Sequence, residues 1–212
     1  HAEALKRYQA KLKAFQEMPG FDRRIDHAAL RLYLQRACVP APFSIFESIR
    51  KVLPGHVLTA ERGVGGGIRL QQEAYWRASD SIATIGIAYG DARAEAERLL
   101  HNAVRGQMRS DVPLGAFLSG GIDSTAIVAL MQEFASTPVR TFSIGSTEPA
   151  YDEARYAAAV ARHLGTDHTE LYVTPEDALR VVDDLPRIYD EPFADSSQIP
   201  TILVARLARG RV

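Results

Sequence analysis

The chain has 212 residues, 46% of them hydrophobic and 24% charged, with a formal net charge of -1. That balance fits a globular protein with a sizeable core, and it excludes two classes. No run approaches the ~18 apolar residues of a membrane span, and the basic excess of a nucleic-acid binder is missing. The single cysteine, Cys38, cannot close an internal disulfide and reads as a small buried hydrophobe, so the expected compartment is the cytoplasm. Only four lysines stand against 21 arginines, and none follows Lys51. The chain starts on His1 and stops after Ala208-Arg209-Gly210-Arg211-Val212, so both ends read as cut.

Leu5, Tyr8, Leu12 and Phe15 recur at helical spacing and predict a helix over 1–18, stopped by Pro19 and Gly20. Asp26 precedes a second apolar run and predicts a short helix. Ile45, Phe46 and Ile49 form a small apolar face, and Pro54-Gly55 turns the chain into a strand from His56. The glycines from Gly63 to Gly67 predict a hairpin that closes at Tyr75-Trp76. Residues 77–90 read as a linker.

From Asp91 onward helix and strand alternate. Helices are predicted over 91–108, 122–134, 152–164 (ended by Gly165) and from Pro175 to about Tyr189, the last capped by Thr174. Strands are predicted over 112–118, 139–144 and 168–173. A last helix over 199–207 would be capped by Asp195 or Ser196. Short strands separated by longer helices imply an α/β fold with a parallel sheet. His163 and His168 read as a surface pair.

The segment Leu118-Ser119-Gly120-Gly121-Ile122-Asp123-Ser124-Thr125 carries the chemistry. It lies where a strand gives way to a helix, the end of a parallel sheet at which ligands bind. Gly120 and Gly121 let the backbone approach an anion and present successive N–H groups to it. The following helix adds its dipole, and Ser119, Ser124 and Thr125 add hydroxyls. A carboxylate beside phosphates needs a cation between them, so Asp123 reads as a Mg²⁺ ligand. The loop lacks the Gly-Lys-Ser/Thr of a Walker motif and the G-x-G-x-x-G of a dinucleotide fold.

Ser119 to Ser124 resembles the pyrophosphate loop of the N-type ATP pyrophosphatases. Val112 to Leu118, Tyr151-Asp152-Glu153 and Asp190 to Ser197 resemble the glutamine-hydrolysing asparagine synthetases, and the likeness runs from about residue 15 to 212. It implies an adenine-nucleotide α-hydrolase-like (Rossmann-like) synthetase domain over 91–212. Before it would come a linker over 77–90 and, over 1–76, the end of an N-terminal-nucleophile glutaminase domain, matched by Pro40 to Leu58 and Tyr75-Trp76. It also implies ATP and Mg²⁺ as cofactors, with Ser119, Gly120, Gly121, Asp123 and Ser124 on the β- and γ-phosphates. Asp123 and Ser119 would be the catalytic residues, and Asp123 the metal ligand. Adenosine would lie along Phe117, Leu118, Ser143, Ile144 and Gly145.

The segment Asp190 to Gln198 would line the pocket of the carboxylate acceptor, with Asp195, Ser196 and Ser197 as substrate residues. The implied reaction joins aspartate and ATP into β-aspartyl-AMP, which ammonia from glutamine converts to asparagine. Other members amidate sugar uronic acids or close β-lactam rings, and a non-catalytic nucleotide-binding fragment is a further alternative. The resemblance admits a homodimer. Residue 1 is His where the glutaminases carry their nucleophilic cysteine, so glutamine hydrolysis by this chain is not expected. A second Ser-Gly loop and the phosphate-neutralising lysines of the family are expected beyond Val212.

Overall fold

The structure, a computed structural model, describes residues 11–63, 65–81, 86–147 and 152–212. The first ten residues of the helix expected over 1–18, residues 82–85 of the expected linker, Val64 of the glycine turn and Tyr151 of the Tyr151-Asp152-Glu153 motif lie outside them. The chain divides into two compact units. One comprises residues up to Gly86 together with Pro186–Asp195; the other comprises Ile87–Leu185 and Ser196–Val212.

In the first unit, helix α1 (Lys11–Gln16) and helix α2 (His27–Arg36) contribute to a core of Leu12, Ala29, Val39, Ile45 and Phe46. The α2 start is set locally: Asp26 is extended, and its Oδ1 accepts from the N–H groups of Ala28 and Ala29 at 2.9 and 3.1 Å. Those two donors have no acceptor inside the helix, which is why the cap stabilises it. The expected hairpin forms from β1 (His56–Arg62) and β2 (Ile68–Ala74), antiparallel, with His56 opposite Ala74 and Arg62 opposite Ile68. Gly55 closes its base by accepting from the N–H groups of Tyr75 and Trp76. Cys38 is exposed rather than buried, because its backbone bridges to Phe193 at the rim of the core and the side chain turns outward.

In the second unit a three-stranded parallel sheet has the order β3-β4-β5, from β3 (Gly115–Phe117), β4 (Arg140–Ser146) and β5 (Asp167–Val173). Its helices are α3 (Tyr89–Gln107), α4 (Ile122–Phe134), α5 (Ala154–Leu164), α6 (Pro175–Val182) and α8 (Gln198–Arg209); a short α7 (Leu185–Ile188) comes before α8 in the chain and belongs to the first unit from Pro186 on. One face of the sheet packs on α5 through Leu118, Val128, Ala157 and Ala161. The opposite face packs Phe142 of β4 against Val204 and Ala208 of α8. Helices thus cover both faces of the sheet.

Several boundaries differ from expectation. β3 is three residues long, although Leu118 still donates its N–H to Phe142 O at 2.9 Å. The helix expected from Pro175 to Tyr189 breaks after Val182 and resumes at Leu185, because Pro186 has no N–H to continue the ladder and is tolerated only in a first turn. The cap position of α8 is Ser197, not Asp195 or Ser196, and it makes no side-chain cap bond. Gly165 ends α5 in the left-handed region, φ 69°, as its position after the apolar run predicts. Thr174 and Asp177 cap α6 reciprocally: Thr174 Oγ1 accepts from Asp177 N–H, and Asp177 Oδ2 accepts from Thr174 N–H.

Asp26→Ala removes both cap bonds and is expected to lower unfolding free energy by about 1 kcal/mol, whereas Asp26→Asn retains most of it. Urea unfolding of the two variants beside the parent chain measures this.

Candidate functional site

β3 delivers the chain to the loop and α4 carries it away, so residues 119–124 sit at the carboxyl end of the parallel sheet. The two serines tie the loop to itself. Ser119 Oγ and Ser124 Oγ are 2.9 Å apart, Ser124 Oγ accepts from Ser119 N–H at 3.2 Å, and Ser119 Oγ accepts from Gly121 N–H at 3.3 Å. The hydroxyls thus hold the turn's shape as well as facing its rim.

Gly120 is the residue that no side chain can replace. Its φ is 78°, and a Cβ there would stand 2.7 Å from Ala157 N and 2.7 Å from the Tyr156 carbonyl carbon. Backbone occupies the place where the Cβ would go, because α5 packs its first turn directly on the loop. Gly121 is different. It has φ -74°, and the nearest atom to a Cβ would be the movable Ser119 Oγ at 3.3 Å. Gly121 marks the start of α4, where a Cβ is tolerated.

Among the described residues, the backbone N–H groups of Gly120, Ile122, Asp123 and Ser124 have no hydrogen-bond acceptor. The last three are the orphan donors of the first turn of α4, whose partial positive charge favours an anion. Ile122 is 88% exposed, so the tip of the loop stands open. Asp123 is exposed and its carboxylate has no hydrogen bond or ion pair among the described residues. No group of three or more His, Cys, Asp or Glu gathers as a metal cage among those residues. Mg²⁺ carried by a nucleotide needs less: one or two carboxylates, with phosphate and water oxygens as the other ligands. A lone, unpaired Asp123 beside open N–H groups meets that demand.

The residues expected along adenosine divide by burial. Phe117 is half exposed at the end of β3. Leu118 is buried in the core with Val128 and Ala161, so only its backbone can meet a ligand. Ser143 and Gly145 are buried on the α5 side of β4, and Ile144 turns the other way, toward α8. Gly145 has a packing reason of its own, since a Cβ there would stand 2.6 Å from the Tyr172 ring. Asp195, Ser196 and Ser197 are all exposed. Asp152 serves the start of α5, its Oδ1 accepting from Ala154 N–H at 3.1 Å.

His163 and His168 are not a surface pair. His163 is exposed, whereas the His168 side chain is only 10% exposed. His168 Nδ1 shares a hydrogen bond of 2.8 Å with Thr141 Oγ1, and Nε2 shares one of 3.2 Å with Ser143 Oγ. β5 pairs His168 directly beside Thr141, so three polar side chains of one sheet face join beneath α5. The alternation of Thr141, Phe142, Ser143 and Ile144 is the signal that one face of β4 is polar. Burial pushes the His168 imidazole below its ordinary value of 6.5; Glu170, 3.8 Å away, and the Thr141 bond oppose this more weakly.

The asparagine synthase family model matches residues 95–212, and the glutamine amidotransferase domain model matches residues 3–76. A putative glutamine-hydrolyzing asparagine synthetase 2 of Methanocaldococcus jannaschii is 36% identical over 188 residues, covering 87% of this chain and 35% of that protein. Asparagine synthetase 1 of Bacillus subtilis is 32% identical over 194 residues, 90% of this chain and 29% of the relative. A putative asparagine synthetase of Mycobacterium tuberculosis is 34% identical, with 92% and 30% covered. The chain spans about a third of the length of these curated relatives. No helix among the described residues is long and apolar enough to cross a membrane.

Gly120→Ala is expected to cost about 1–3 kcal/mol of stability through backbone overlap, while Gly121→Ala stays within about 1 kcal/mol of the parent chain. Paired urea titrations decide this. A histidine held neutral binds its proton less tightly folded than unfolded, so stability is complete above pH 6.5 and falls as the pH drops below it. His168→Gln is expected to flatten that loss between pH 7 and 5, as read from melting temperatures (pH range ~7 to ~5).

Proposed function

The chain belongs to the asparagine synthase family, and from that membership we propose that it supplies the Mg-ATP-gripping part of a glutamine-dependent amide-forming ligase. The observation that carries the reading is the loop itself: open N–H groups on Gly120, Ile122, Asp123 and Ser124, and an unpaired Asp123 carboxylate, at the carboxyl end of β3. An anion binds there because these donors are unsatisfied by the fold and already in place, sparing reorganisation. The N–H groups hold the terminal phosphates of ATP, Ser119 and Ser124 keep the turn closed, and Asp123 is the residue that would hold Mg²⁺. Bound there, the metal would supply charge neutralisation that makes pyrophosphate a better leaving group.

Adenosine lies along the ends of β3 and β4, at Phe117, the backbone of Leu118, Ser143, Ile144 and Gly145. Asp195, Ser196 and Ser197 line the acceptor pocket. In the proposed reaction a carboxylate oxygen of aspartate attacks the α-phosphorus, the bond to pyrophosphate breaks, and β-aspartyl-AMP forms. Ammonia derived from glutamine then attacks the acyl carbon, giving asparagine and releasing AMP. The domain arrangement in this reading is a glutaminase tail over 1–76, a linker over 77–90 and the synthetase portion over 91–212. The cytoplasm is its compartment and a homodimer its assembly.

Asp123→Asn keeps the shape of the loop and removes the charge that calls for a metal. The variant is expected to bind Mg-ATP on the order of tenfold more weakly, the scale of one charge-assisted contact, and to bind metal-free ATP no worse than the parent chain. Equal Mg-ATP affinity in titration calorimetry would overturn the metal role. ATP–pyrophosphate exchange by the full-length gene product with aspartate, set against other carboxylates, tests the acceptor.

A further inference from the structure

Lys13 and Lys51 are two of only four lysines, and both ammonium groups are directed at one short segment of their own unit, residues 187–191. Lys51 Nζ meets Glu191 Oε2 and donates to Val39 O at 2.7 Å. The other carboxylate oxygen, Glu191 Oε1, accepts from Ile45 N–H at 2.8 Å. The Glu191 side chain is 12% exposed, so it is nearly desolvated and engaged at both oxygens. Lys13 Nζ donates to the carbonyls of Arg187 and Ile188 and lies 3.3 Å from Asp190 Oδ1. Asp190 Oδ2 accepts from Leu12 N–H at 3.2 Å. Beyond Glu191, Phe193 bridges antiparallel to Cys38, and Ala194 N–H donates to Ala37 O at 2.8 Å.

Residues 187–194 are therefore a strap, held at both ends and in the middle by the framework of residues 12–51. Asp195, Ser196 and Ser197 follow it immediately along the chain, exposed. Of these three, Asp195 belongs to the same unit as the strap and follows its last anchored residue, Ala194, directly. The anchor with most to lose is Lys51–Glu191, because removing one partner leaves a buried charge without compensation.

We propose that Lys51 and Glu191 are positioning residues for the carboxylate acceptor, acting through the strap on Asp195 within the same unit. The inference rests on the reading of Asp195 as part of the acceptor pocket. Neither residue touches substrate in it. Their effect falls on acceptor binding and spares the nucleotide, whose loop is built by β3, α4 and α5. A displacement of about 1 Å in a positioned group can cost up to ~10²-fold in rate, so a partly loosened strap is expected to weaken acceptor use about tenfold.

The test is ATP–pyrophosphate exchange by the full-length gene product, with acceptor and ATP varied in turn, for Glu191→Gln, Lys51→Met and Lys51→Arg. Glu191→Gln keeps an oxygen for Ile45 N–H and loses only the ion pair. The first two variants are expected to raise KM for the acceptor about tenfold and leave KM for ATP within about twofold, with Lys51→Arg restoring most of the loss. Equal rises in both constants, or no rise in either, would remove the positioning role while leaving the acceptor pocket standing. Absence of any carboxylate-dependent exchange in the parent protein would remove the pocket and this inference together. Amide hydrogen exchange on the 212-residue chain covers variants that fold poorly. Faster exchange at Ile45 and Ala194 in Glu191→Gln, with β4 and β5 unchanged, is the expected result; an unchanged Ala194 overturns it.

Discussion

The close approach of Gly120 to the first turn of α5 is the contact on which the nucleotide loop depends. At φ 78°, with Ala157 N and the Tyr156 backbone where a Cβ would stand, this residue lets a helix pack directly on a turn. The helix can come so near only because it presents alanines, Ala157 and Ala161, to the sheet. Leu118 and Val128 then anchor the two ends of the loop in the same core. Rigidity of this kind is what an anion cradle needs, since donors held in place before binding lose little entropy on binding. The serine pair closes the turn from inside, and the N–H groups of the first turn of α4 remain open to a ligand.

Beneath the same helix, β4 shows two chemistries on alternate residues. Phe142 and Ile144 face α8 and make an apolar layer, while Thr141 and Ser143 face the α5 side and are satisfied by His168. Buried hydroxyls are tolerated because each finds a partner. Burial disfavours the charged form of the histidine that serves both, which ties the polar side of the sheet to pH.

Charge is used differently in the other unit. Lys13 and Lys51 serve as internal clamps, each reaching a carboxylate and one or two backbone carbonyls of neighbouring chain. An ammonium is a compact point charge with three donors, suited to several acceptors in a tight space. The acidic pair Asp190-Glu191 is thus structural at its side chains, and the exposed polar residues begin only at Asp195.

The amino-acid sequence alone determined the elements governed by near neighbours. Asp26 before α2, Gly165 after α5 and Thr174 before α6 act within a single turn, and Ile122–Phe134 is the helix its apolar run predicts. The Ser119–Ser124 loop is equally local, a strand end followed by two glycines and a helix start. Tertiary structure decided whatever depends on residues far apart in the chain. Pairing of β5 with β4 turned His168 from a surface residue into a buried partner of Thr141, and a bridge to Phe193 left Cys38 at the rim. The strap was invisible because Lys51 and Glu191 lie 140 residues apart, and periodicity records only which face a side chain occupies. It does not record which distant charge will be there to meet it.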